Sequence, residues 1–172
     1  MIREYDVSYA VKEFLLRRGW FLIAFNPPGS QGTLTIPNPK KNSNYRGQTG
    51  SESPDIIAYK KNMLLVVESK PAFNLNDTKK LLNLLKDKDR LDLLMRISKK
   101  VCYTHRIVWG DHPTILVGKA HGEPSNLMDD IQTFIVKTKE GWDPNFIDPS
   151  RDPFSFMDIV LYPSDKKLQS II

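Results

Sequence analysis

The sequence predicts an α/β fold in which helices flank a central mixed β-sheet, in the order αβββαβ. Three observations support this prediction. An amphipathic segment covers residues 3–18, and three short apolar runs follow at residues 20–25, 56–59 and 63–67. A strongly helical stretch then occupies residues 76–100. With 172 residues, 40% hydrophobic and 26% charged, the chain is predicted to form a single domain with a sizeable core.

The first predicted helix has an apolar face and ends at Gly19. Val7, Val11 and Leu15 recur at helical spacing and share that face. Glu4 projects within about 60° of them, so we expect its side chain to turn inward rather than into solvent. An acid in the first turn is also favoured by the helix dipole, which is the alternative explanation for Glu4.

The three apolar runs predict three strands. Residues 20–25 are apolar on both faces, which is typical of a buried strand. The second and third runs flank a turn, and a two-residue hairpin at Lys61-Asn62 would set residue 60 opposite 63. In the same register, Asp55 faces Glu68.

Two carboxylates and an ammonium therefore converge at the open end of the hairpin. Facing residues have Cβ atoms about 4.5–5.5 Å apart, and strand alternation puts Glu68 and Lys70 on one face. The facing Asp55 and Glu68 carboxylates repel each other unless a cation lies between them, and a divalent ion bound by oxygen ligands would relieve that repulsion. The alternative is a hairpin end whose charged groups are simply solvated.

Pro54-Asp55 followed by Glu68-Ser69-Lys70 resembles the signature of the PD-(D/E)xK nuclease superfamily, which includes restriction endonucleases and archaeal junction resolvases. The resemblance covers roughly residues 3–100. It implies a restriction-endonuclease-like core and an active site that hydrolyses phosphodiester bonds.

The resemblance also implies roles for individual residues. Mg²⁺, for which Mn²⁺ would substitute, is expected to be held by Asp55, Glu68 and the backbone carbonyl of Ser69. Members of the superfamily often supply a further acid from the first helix, for which Glu4 is the candidate. Lys70 would orient or deprotonate the attacking water, or stabilise the charge on the phosphate as an ammonium.

The function implied is that of a metal-dependent DNA endonuclease, either a restriction-type enzyme or the catalytic subunit of a restriction or nicking enzyme. One active site cuts one strand, so duplex cleavage would need a homodimer or a partner subunit. Two alternatives are open. One is a structure-specific nuclease similar to the Holliday junction resolvases, and the other is a non-catalytic DNA-binding or assembly protein built on the nuclease fold.

Candidate DNA contacts lie in two regions near this site. Residues 26–53 form a long segment rich in Pro, Gly, Asn and Ser, and the helix predicted at 76–100, capped by Asn76 or Asp77, begins just after the Glu68 strand. The candidates, which have solvated loop or helix side chains as their alternative, are Lys40, Lys41, Tyr45, Arg46, Lys79 and Lys80.

Charge is distributed unevenly along the chain. The net charge is +5, but residues 60–106 carry twelve Lys/Arg against five Asp/Glu, whereas residues 107–172 carry six against ten. The positive excess lies beside the predicted site, where a polyanion would approach. A lysine-rich solvated helix would give the same count.

The region after residue 100 is predicted from weaker patterns. Strands are predicted at 102–109, 114–118, 134–137 and 156–162, with a short helix at 123–131, and a C-terminal extension is predicted from about residue 120. Three Asp-Pro pairs predict turns. Cys102, the single cysteine, rules out an internal disulfide and is predicted to pack in the core.

The apolar runs are too short to span a membrane, and the N-terminus lacks a signal-peptide pattern. The sequence therefore predicts a cytoplasmic protein without a membrane partner.

Overall fold

The computed structural model describes residues 2–30, 34–40, 51–122, 131–138 and 157–162. Within these residues three helices and six strands are present. Their order along the chain is α1 (Glu4–Arg17), β1 (Phe21–Phe25), β2 (Ile56–Lys60), β3 (Met63–Ser69), α2 (Leu75–Lys86), α3 (Lys88–Thr104), β4 (Thr114–His121), β5 (Gln132–Thr138) and β6 (Met157–Tyr162).

The six strands form one open sheet in which spatial order follows chain order. Strands β1, β2 and β3 pair antiparallel, β3–β4 and β4–β5 pair parallel, and β5–β6 pair antiparallel. The α/β class and the mixed sheet are therefore confirmed. A parallel step from β3 to β4 requires a crossover, which α2 and α3 provide.

Helices cover both faces of the sheet. Helix α1 packs on one face through a cluster that includes Val11, Phe14 and Phe134, and α2 and α3 pack on the other through Leu81 and Leu94. All seven residues of β3 are buried. This explains why β3 reads as a continuous apolar run, since a central strand covered on both faces has no solvent side.

The predicted hairpin is confirmed in position and register. Lys60 pairs with Met63, and the ladder continues to Ile56 opposite Val67. Lys61 and Asn62 have φ values of 45° and 62°, as a two-residue turn with both central residues left-handed requires. Strand β1 is less buried than predicted, because it lies at the edge of the sheet formed by the described residues.

The helix predicted at 76–100 is wrong in its bounds and continuity. Helix α2 begins earlier, with Asn74 rather than Asn76 or Asp77 as its cap. The Asn74 side chain accepts hydrogen bonds from the backbone N–H groups of residues 76 and 77. Asp87 adopts an extended conformation and caps the start of α3. The helical stretch is therefore two helices that meet at a capping aspartate.

The strand predicted at 102–109 is also wrong. Helix α3 continues to Thr104 because Leu94, Ser98 and Cys102 repeat at a spacing of four and bury one helical stripe. Burial of Cys102 in the core is confirmed, and that burial raises the pKa of its thiol to about 11.

Strands β4, β5 and β6 confirm the three later strand predictions, with β4 running beyond its predicted end at 118 to His121. Strands β5 and β6 continue the main sheet, so the predicted C-terminal extension contributes two strands to it. Residues 123–130 of the predicted helix, and the three Asp-Pro pairs, lie outside the described residues.

Candidate functional site

The open end of the β2–β3 hairpin brings together the acidic residues that the sequence singled out. Asp55 directly precedes β2 and Glu68 lies near the end of β3, each with 7% of its surface exposed. The Ser69 backbone N–H donates to Asp55 Oδ2 at 2.7 Å, which ties the carboxylate to the neighbouring strand. Ser69 thus lies at the site through its N–H, while the role of its carbonyl as a ligand stays a prediction.

Asn26 supports Asp55 from behind. Its backbone N–H donates to the Asp55 carbonyl oxygen at 2.7 Å, and its side-chain Nδ2 donates to the Pro54 carbonyl at 2.9 Å. The same side chain exchanges hydrogen bonds with the backbone of Leu34. Asn26 therefore fixes the entry to β2 and the base of the 26–53 segment together.

Burial and charge raise the pKa of Asp55 to about 7. Loss of solvent is the largest cause, and the nearby Glu68 carboxylate adds to it. The Ser69 N–H and the charge of Lys70 act in the opposite direction. The Asp55 carboxyl is therefore buried close to a second carboxylate that disfavours its ionisation, which is the repulsion that the sequence predicted.

Glu68 forms an ion pair with Lys80, with 3.0 Å between Oε1 and Nζ. Burial raises the pKa of Glu68 and Asp77 adds to that effect, whereas the charge and hydrogen bond of Lys80 oppose it. Lys80 was predicted to contact DNA from α2, and in the structure its ammonium is turned to the acidic site.

Lys70 pairs with Glu4, with 2.6 Å between Nζ and Oε1. Burial alone would lower the pKa of Lys70, but the hydrogen bond and charge of Glu4, together with Asp77 and Asp55, leave that pKa above its ordinary value. The inward orientation predicted for Glu4 is confirmed, since its carboxylate reaches the end of β3. Lys70 is held as a charged ammonium beside the acids.

Asp77, which the sequence predicted only as a possible helix cap, also lies at the site. It lies in the first turn of α2, and its charge acts on both Glu68 and Lys70. Its Oδ2 atom is buried and, within the part of the chain that the structure describes, makes no hydrogen bond. Asp77 lies three residues before Lys80, and this helical spacing was the sequence signal that could have placed Asp77 beside the site.

Strand β4 supplies a second missed group. Lys119 is directly opposite Glu68 in the parallel ladder and is 5% exposed. Its Nζ lies 4.3 Å from the centroid of the Phe73 ring, and burial lowers its pKa. His121, two residues further on, is buried and its Nδ1 lies 2.7 Å from the Gly122 carbonyl oxygen.

The donors at the hairpin end suit a hard cation. Asp55 and Glu68 are buried carboxylates, their contacts with Ser69 and Lys80 each involve one oxygen, and a divalent ion would offset their repulsion. Among the described residues, no group of three or more His, Cys, Asp or Glu side chains is placed to hold a metal ion. The residues fit Mg²⁺ as a two-carboxylate site completed by backbone or water oxygens.

The remaining candidate DNA contacts belong to the 26–53 segment and to α2. Lys40 and Lys79 are exposed, and Lys41, Tyr45 and Arg46 lie outside the described residues. The base of the 26–53 segment is closed by a bridge between Ile36 and Glu52.

Comparisons with protein-family models, curated proteins and solved structures find no match to this chain. In the described part of the chain, no helix has both the length and the apolar character needed to cross a membrane.

Proposed function

We propose that this protein is a Mg²⁺-dependent endodeoxyribonuclease in which Asp55 and Glu68 hold the metal ion and Lys70 acts on the scissile phosphate. The observation that carries the proposal is the buried pair of Asp55 and Glu68, with Lys70 held charged beside it. A surface hairpin end would leave these groups in water. Burial of two carboxylates destabilises the fold, and costs of this kind are typical of functional sites.

The order of elements supports the same proposal. Helix α1, strands β1–β3, the α2–α3 pair and strand β4 follow one another as α-β-β-β-α-α-β. This order is similar to the restriction-endonuclease-like core implied by the sequence motif, with the acidic residues on two adjacent antiparallel strands.

The chemistry follows from the charges. Mg²⁺, when bound, lowers the pKa of a coordinated water and neutralises charge on a phosphate oxygen. Asp55 and Glu68 would supply its protein carboxylates. Lys70, whose pKa lies above its ordinary value, is protonated at neutral pH and is suited to stabilise the negative charge of the transition state rather than to act as a base.

The substrate proposed is duplex DNA, cut by a restriction-type enzyme or by the catalytic subunit of one. The basic excess of residues 60–106 falls in the stretch of chain that also contains Glu68, Lys70 and Lys80. Cleavage of both strands would need a second copy or a partner subunit, since this chain offers one such site within its described residues.

Supercoiled plasmid incubated with Mg²⁺ tests the proposal. The wild-type protein is expected to nick or linearise the plasmid, and Glu68→Gln and Lys70→Met are expected to abolish cleavage. Glu13→Gln is the matched control, because Glu13 pairs with Lys12 on α1 away from the hairpin end. Retardation of DNA without cleavage in Mg²⁺ or Mn²⁺ would instead favour a DNA-binding protein, and cleavage confined to four-way junctions would favour a resolvase.

A further inference from the structure

Lys80 contacts the same Glu68 carboxylate that would bind the proposed divalent cation. Its Nζ lies 3.0 Å from Glu68 Oε1, and the side chains of Lys80 and Glu68 are 39% and 7% exposed respectively. Glu68 is therefore too buried to remain ionised without a counter-charge, and Lys80 supplies that charge from a partly solvated helix surface. A divalent ion bound to the Glu68 carboxylate would repel an ammonium on the same group, and the burial of Glu68 strengthens that repulsion.

Asp77 offers Lys80 another partner. It precedes Lys80 by three residues on α2, and residues at this spacing are neighbours on a helix surface. Asp77 Oδ2 is buried and lacks a hydrogen-bond partner among the described residues. A lysine is a compact charge on a flexible stem, so its ammonium can change partners without any movement of the backbone.

We propose that Lys80 is an exchangeable counter-ion, which neutralises Glu68 until a divalent cation binds there and then moves to Asp77. This inference rests on the proposed function, because it concerns the same cation site. It makes Lys80 a positioning residue that sets how tightly the site binds its cation.

Calorimetric titration of Mn²⁺ into the full chain tests this exchange. Lys80→Met is expected to bind Mn²⁺ about tenfold more tightly than the wild type, because no ammonium has to be displaced from Glu68. Lys80→Arg keeps the charge and is expected to resemble the wild type. Lys79→Met removes the same formal charge from an exposed neighbour, and its affinity is expected to stay within about twofold.

Thermal unfolding provides a second readout. Without a divalent ion, Lys80→Met is expected to unfold at a lower temperature than the wild type, since Glu68 has lost its counter-charge. Added Mn²⁺ is expected to raise the unfolding temperature of Lys80→Met more than that of the wild type. A merely structural ion pair would give the first effect without the second.

Asp77→Asn tests the alternative partner. It is expected to weaken Mn²⁺ binding more in the wild-type background than in the Lys80→Met background, because only the former has an ammonium to relocate. Equal effects in the two backgrounds would remove Asp77 from the exchange.

Two further results would overturn the inference in different ways. Equal Mn²⁺ affinities for the wild type, Lys80→Met and Lys79→Met would contradict the exchange and leave the proposed nuclease site intact. Failure of every variant and of the wild type to bind Mn²⁺ would remove the proposed metal site itself.

Discussion

The Glu4 carboxylate accepts a hydrogen bond from the Lys70 ammonium, with 2.6 Å between Oε1 and Nζ. Glu4 lies in the first turn of α1 and Lys70 directly follows β3, so the contact joins the start of the chain to the hairpin end. It holds Lys70 in place and in its charged form. Glu4 therefore has a defined task at the site, whether or not it also contacts a cation.

Glu4→Gln is expected to slow Mg²⁺-dependent plasmid cleavage by about tenfold, because Lys70 loses its charged partner and its orientation. The affinity for Mn²⁺ is expected to change by less than about threefold, since Asp55 and Glu68 remain. Cleavage rates and Mn²⁺ titrations on the same preparations separate the two effects. A large loss of Mn²⁺ affinity would make Glu4 a metal ligand instead.

The raised pKa of Asp55 predicts how stability depends on pH in EDTA. The folded pKa is about 7 and the unfolded one is about 3.9, so the folded protein binds the extra proton between these values. Asp55 therefore contributes to the free energy of unfolding in full below the unfolded pKa. That contribution is lost as the pH rises toward 7, and the free energy of unfolding falls by an amount on the order of 4 kcal/mol.

Asp55→Asn removes this titration while keeping the side-chain shape. Urea unfolding from pH 4 to 8 is expected to show a smaller fall in stability with rising pH for Asp55→Asn than for the wild type. Parallel pH profiles for the two proteins would contradict the assignment of a raised pKa to Asp55.

Asn26→Ala is expected to lower the free energy of unfolding by about 2–3 kcal/mol, because its buried side chain bonds the backbone of both Pro54 and Leu34. Urea denaturation measures the change. Asn76→Ala is the control, since Asn76 is exposed in the first turn of α2, and it is expected to change stability by less than about 0.5 kcal/mol. A loss for Asn26→Ala no greater than that of Asn76→Ala would show that the bonds to Pro54 and Leu34 do not hold the site.

The hairpin shows what the sequence can predict about this site. The lengths of the apolar runs and the two-residue turn at Lys61-Asn62 determine the register of β2 against β3. Strand alternation then places Asp55 and Glu68 together without any knowledge of the rest of the fold. The inward orientation of Glu4 followed from helical periodicity in the same way.

Asn26 and Lys80 show what local patterns could not provide. The bonds from Asn26 to Pro54 span 28 residues, so no short-range pattern reveals them. The partner of Lys80 depends on where α2 begins. The helix predicted from the sequence began too late and did not include the break at Asp87. Packing of α2 against the sheet brings Lys80, whose DNA contact stays a prediction, to Glu68.

The most direct test of the central claim is a Mn²⁺ titration followed by the electron paramagnetic resonance signal of the free ion, with the wild type, Asp55→Asn, Glu68→Gln and Glu13→Gln compared. Mn²⁺ is expected to bind to the wild type and to Glu13→Gln, and binding is expected to be lost in both Asp55→Asn and Glu68→Gln. Undiminished Mn²⁺ binding by the Asp55 and Glu68 variants would contradict that claim.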